Sequence, residues 1–86
     1  MVVLDLVLKG HWFDRIASGE KTSEYRENKP YWARRLFSRS YSHVRFRRGY
    51  TKNTMLFEIK GIGSFRGKND LDLPEVIEIR LGKRVE

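Results

Sequence analysis

The 86-residue chain contains no cysteine and only two prolines. Without thiols there is no disulfide, no thiolate nucleophile and no zinc site built on sulfur. Long apolar runs are missing too: no stretch approaches the roughly 20 residues that a membrane-spanning helix needs. The first residues carry neither the basic region nor the small-residue cleavage site of a secretory signal. These features predict a single domain with no membrane partner, working in a reducing compartment such as the cytoplasm. The two histidines and scattered carboxylates show no ligand spacing, so neither a metal nor another cofactor is expected. "GIGSFRG", Gly61 to Gly67, lacks the Lys-Ser or Lys-Thr ending of a phosphate loop and reads as a kinked strand and loop.

One more absence is local. Between Glu27 and Glu58 there is no acidic residue, while Lys29, Arg34, Arg35, Arg39, Arg45, Arg47, Arg48 and Lys52 all fall there. The formal charge of +7 therefore resides in this segment, and the remainder is close to neutral. Rings are interleaved with the cations, among them Trp32, Tyr41 and Tyr50. Single-stranded or looped RNA suits such a surface, because bases stack on rings while phosphates meet the cations. A plain solvated face or an acidic protein partner would use the same composition.

The hydropathy pattern predicts α+β, with five or six strands and one or two short helices. Val2, Leu4, Leu6 and Leu8 share one face of a first strand. "HWFDRIAS" pairs Trp12 with Ile16 and Phe13 with Ala17, which makes a short amphipathic helix, with Trp12 packed beneath it. Gly19 is its natural stop. Pro30 suits the start of a second short helix or turn over "YWARRLF". Further strands follow at His43 to Tyr50, Thr54 to Gly63 and Val76 to Leu81, the last with Ile77 and Ile79 inward and Glu78 outward. Small sheets of this kind curl into a partly open barrel that shields their edges.

The strand between the helices, Lys21 to Glu27, has almost nothing apolar to bury. Either it is a solvated edge blunted with charge, or one face lines a cleft. Glu24 and Arg26 are neighbours on one face and could pair, leaving spare guanidinium donors for phosphates or base edges. Lys21, at the corner after the helix, becomes a candidate nucleophile or base if it is desolvated.

"GEKTSEYR", Gly19 to Arg26, matches the pattern G-x-K-x-x-E-x-R and follows a strand and a helix. In this the chain resembles the ASCH domain family, whose fold is similar to PUA domains. The resemblance implies a small five- to six-stranded β-barrel with a cleft beside the helix that takes RNA or a nucleotide. It implies that Gly19 makes the turn and that Lys21, Glu24 and Arg26 line the cleft. Lys29, Trp32, Arg34, Arg35, Arg45, Arg47, Arg48, Tyr50 and Lys52 are then the expected RNA-binding surface.

Some small relatives in that family act as amidohydrolases on acetylated cytidine, with the motif lysine, a threonine three positions on and a late carboxylate. Here the position three on is Glu24, and Thr22 and Ser23 are displaced. Others resemble ribonucleases, which need a base and an acid around the scissile phosphate. Lys21, Tyr25, Tyr50, Lys52, His11 and His43 are candidates without a signature spacing, so a catalytic role for Lys21 and Glu24 is the alternative expectation.

Overall fold

Alternating burial defines β1, Val3–Leu8, in which Leu4, Leu6 and Leu8 are buried and Asp5 and Val7 are exposed. A computed structural model describes all residues 1–86. Helix α1, Gly10–Ala17, follows at once and buries Phe13 and Ile16. That i, i+3 pair turns the apolar stripe away from Trp12, which is half-buried at the side of the helix rather than packed beneath it, and leaves Ala17 exposed. Gly19, with φ of +84°, reverses the chain in the left-handed region that side chains disfavour. The Lys21 amide then donates to the Arg15 carbonyl at 3.0 Å, which fixes Lys21 against the end of α1.

Strand β2, Ser23–Glu27, leads into α2, Pro30–Phe37, with proline in its first turn and Leu36 buried. Strands β3 (His43–Arg48), β4 (Thr54–Phe65) and β5 (Val76–Arg84) complete the sheet. Their order is β1-β3-β4-β5-β2. β1 and β3 run parallel, joined by the long crossover through α1, β2 and α2, and every other pair is antiparallel. The architecture is thus α+β, with five strands and two short helices forming a half-barrel.

The sheet curls at β4. Its register against β5 shifts between Phe57 and Ile59 and again between Ile59 and Gly61. Such irregularities bend a strand and increase its twist. The first half of β4 pairs with β3 and the second half with β5, so the sheet curls around one core. Leu4, Leu6 and Leu8 meet Phe13, Ile16, Leu36, Val44, Phe46, Met55, Phe57, Ile77, Ile79 and Leu81 there. β1 and β2 remain unbonded edges that face each other across a gap, and the candidate site lies in that gap.

Candidate functional site: a charged cleft between two strand edges

Peptide direction follows from register. The carbonyls of Val2 and Leu8 accept hydrogen bonds from the β3 side, from Ser42 and Gly49. By the two-residue alternation, the peptide groups of Val3, Asp5 and Val7 turn to the open edge. On β2, the Thr22 carbonyl accepts from the Leu81 amide at 3.1 Å, so Ser23, Tyr25 and Glu27 turn theirs away from β5. Val7 and Tyr25 therefore present free backbone donors and acceptors to the gap. A hollow of about 330 Å³ is lined here by Val7, Lys9, Trp12, Tyr25, Arg26 and Asp70, among others. A second hollow of about 250 Å³ adjoins it through Trp12, Tyr25 and Asp70, and reaches Lys21 and Arg15.

The polar strand owes its composition to this gap. Glu24 and Arg26 stand in register with Ile79 and Ile77, on the inward face, yet no strand covers them beyond the edge. Their charges alternate along a line. Glu24 lies 3.2 Å from the Lys21 ammonium and 3.0 Å from Arg26 Nη2, and Asp70 pairs with Lys21 from the other side. The Lys21 and Glu24 side chains are only 7% exposed. Two cations and two anions balance, as buried charge requires.

Aromatic rings wall the line. The Lys21 ammonium sits 5.2 Å from the Trp12 ring centroid and 4.8 Å from that of Tyr25. The Arg26 guanidinium lies 4.9 Å over Trp32. These are cation–π distances. Arg26 differs from Lys21 in one respect. Its Nε and Nη2 are buried and make no hydrogen bond of good geometry, the approach of Nη2 to Glu24 being off-axis. An unmet buried donor costs about 1–3 kcal/mol, more when charged.

Asp70 comes from the loop between β4 and β5, which Asn69 stitches together. The Asn69 side chain donates to the carbonyls of Gly67 and Leu73, both at 2.9 Å, and accepts from the Leu71 amide at 3.0 Å. Phe65 at the loop's base stacks near Tyr25, with ring centroids 5.7 Å apart. On the outer face of β2, Ser23 donates to Glu78 at 2.9 Å. Burial, and then the carboxylates of Glu78, Asp70 and Glu24, push the Tyr25 phenol above its ordinary pKa. Tyr25 is therefore a neutral hydroxyl at physiological pH.

The structure brings Lys21, Glu24 and Arg26 together and sets Trp32 beside Arg26. Trp32 also lies 5.7 Å beneath the Arg35 guanidinium. Arg45 and Arg47 lie on the outer face of β3, in register with Asp5 and Val7. The other residues of the expected basic surface are placed differently. Arg48 grips Asp14 with two hydrogen bonds of 3.0 and 2.9 Å, tying β3 to α1. This bond holds the Asp14 carboxyl below its usual pKa and the Arg48 guanidinium above its own. Gly10 allows the approach, since a Cβ there would meet Arg48 Cζ at 2.7 Å. Lys29 pairs with Glu27 at 3.2 Å, and Arg34 is exposed. Tyr50 and Lys52 project from the β3–β4 turn, Tyr50 almost fully exposed. His43 contacts Ser42 at the far end of β3, and His11 packs edge-on against Trp12.

Sequence reasoning missed Asp70 and the cleft-facing role of Trp12. "GKNDLDLP" signals a turn through its Asn-Asp pair, but nothing in it announces a contact 49 residues back along the chain. The chain matches no protein-family model, no curated protein and no solved structure.

Proposed function

We propose that the protein binds RNA or a nucleotide, with a base entering the cleft between β1 and β2 and the basic flank holding phosphates. The observation that carries this reading is the Arg26 guanidinium. It stacks on Trp32 and lines the cleft, yet it has no well-formed hydrogen bond within the protein. Arginine presents five donors in a rigid fork that matches base edges and phosphates. Glu24 and Trp32 hold the fork in place, and Trp12 and Tyr25 offer ring surface for stacking. The free peptide groups of Val7 and Tyr25 supply further donors and acceptors. The match of Gly19, Lys21, Glu24 and Arg26 to the ASCH pattern supports the same reading. The absence of thiols suits a cytoplasmic setting.

The alternative, an enzyme acting on RNA or on acetylated cytidine through Lys21, has less support. The Lys21 ammonium is held by two carboxylates, Ser23 is bonded to Glu78, and Thr22 is two positions out of place for the lysine–threonine spacing of that chemistry. Incubation with acetylated cytidine and with labelled single-stranded RNA separates the two. Binding without turnover, weakened at least about tenfold by Arg26→Gln, is expected from the loss of charged hydrogen bonds. Turnover abolished by Lys21→Ala establishes the enzyme instead, and binding indifferent to Arg26→Gln refutes the cleft.

A further inference from the structure

A third hollow, of about 280 Å³, lies on the outer face of β1 and β3 and is lined by Asp5, Leu6, Val7, Arg35, Arg45 and Arg47. Register places Arg45 beside Asp5 and Arg47 beside Val7 on this face, and α2 brings Arg35 over the β1 edge. Three guanidiniums thus surround one concavity that holds a single carboxylate. That carboxylate, Asp5, is 3.8 Å from Arg45 and largely exposed, so it neutralises little. Arg35 spends one donor on the Asp5 carbonyl, at 2.7 Å, and Arg47 one on the Thr51 carbonyl, at 3.0 Å. These bonds aim the forks and leave the other donors free. The cluster contrasts with Arg48, whose charge Asp14 closes off.

Two residues join this hollow to the cleft. Val7, 46% exposed, lines both. Trp32 lies against two guanidiniums, Arg26 of the cleft at 4.9 Å and Arg35 of the cluster at 5.7 Å. A ligand with an aromatic part in the cleft and an anionic part beside it would cross Val7 to reach the three arginines.

We infer that Arg35, Arg45 and Arg47 form a phosphate site contiguous with the cleft, so that the recognised unit is a nucleotide carrying its phosphate, rather than a base or nucleoside alone. The inference rests on the nucleotide reading of the cleft and adds to it where the phosphate goes. Only these three of the chain's many cations share a hollow of their own that adjoins the cleft through Val7. Monoester and diester phosphates offer the same oxygens to the guanidiniums, and the ligands in the test distinguish them.

The test titrates isotope-labelled protein with the four ribonucleosides, their 5′- and 3′-monophosphates, a dinucleotide and inorganic pyrophosphate. At least one monophosphate should bind about tenfold or more tightly than its nucleoside, as expected for charged hydrogen bonds to phosphate. A dinucleotide gaining as much identifies a diester site; gain by monophosphates alone identifies a monoester site. Arg45→Gln with Arg47→Gln should abolish that gain and leave nucleoside affinity unchanged. Lys60→Gln with Lys83→Gln, which removes the same charge from exposed positions elsewhere, should keep it. Pyrophosphate alone should shift the amides of Arg45 and Arg47. A phosphate gain that survives the arginine substitutions, or is lost equally in the lysine pair, overturns the inference. So does a pyrophosphate titration that leaves those amides unmoved. Pyrophosphate shifts without any nucleoside binding would keep the phosphate site and refute the base-binding cleft.

Discussion

Two charged regions share the β1 edge and follow opposite rules. In the cleft, Lys21 and Arg26 alternate with Glu24 and Asp70; the charges balance, the Lys21 and Glu24 side chains are buried, and Arg26 and Asp70 are partly covered. On the outer face, Arg35, Arg45 and Arg47 stand partly exposed with only Asp5 against them. Burial explains the difference, because an uncompensated charge in the interior costs several kcal/mol while water and salt screen one at the surface. The cleft can therefore hold geometry for recognition, and the outer face can hold excess charge for affinity. Trp32 lies against an arginine of each region and Val7 lines both hollows, so in the proposed mode one ligand spans the two.

Stability gives the largest contrast. Glu24→Ala leaves buried Lys21 with Asp70 alone and partly buried Arg26 with no anion, and should lower unfolding free energy by about 3 kcal/mol. Arg45→Gln with Arg47→Gln should change it by no more than about 1 kcal/mol. Urea denaturation of the two variants measures both, and equal losses would erase the distinction.

Salt dependence reverses the ranking. The double arginine variant should flatten the dependence of single-stranded RNA affinity on salt by about 1.4 in log–log slope, or about 0.7 for each phosphate left without its cation. Arg26→Gln should weaken binding with little change of slope, because in the proposed mode its partner is a base edge. A slope that falls as much for Arg26→Gln would place phosphate in the cleft.

A smaller effect tests the burial of the cleft wall. Of four tyrosines, Tyr25 should ionise last, above the usual value of about 10. Because the folded state favours the protonated phenol, this contribution is whole below that value and fades as pH rises towards the higher folded value. Near-ultraviolet titration should show one late phenolate that Tyr25→Phe removes; four indistinguishable tyrosines would mean that the wall is open.

The smallest effect belongs to the exposed Asp14–Arg48 pair. Asp14 has a lowered folded pKa, so its contribution is present above the ordinary aspartate value of about 3.9 and is lost as pH falls below it. Asp14→Asn should flatten the stability curve in that acid range alone. An equal effect at neutral and acid pH would assign the pair's role to packing.

The sequence made some of this legible and hid the rest for identifiable reasons. Alternation at Leu4, Leu6 and Leu8, and again at Ile77, Ile79 and Leu81, is local and survives folding unchanged. Gly19 and Pro30 mark helix ends because they act on their own backbone. The spacing of Glu24 and Arg26 disclosed a shared face, and the register bears this out. Asp70 was hidden because its position depends on the curl of β4 and on the Asn69 turn, neither of which periodicity encodes. Arg48 looked like its neighbours Arg45 and Arg47 until the fold set Asp14 opposite it. Trp12 was expected in the core because i, i+4 pairing fits Ile16, but Phe13 and Ile16 define the buried stripe.

In the proposed mode the Arg26 guanidinium takes from a ligand the acceptor it lacks within the protein. The sharpest measurement follows the Arg26 guanidinium N–H resonances while a nucleoside monophosphate is added to saturation. At least one of these resonances should shift and gain protection from exchange, together with the indole N–H of Trp32. A ligand that binds fully while the Arg26 signal stays in place and exchanges as before would contradict it.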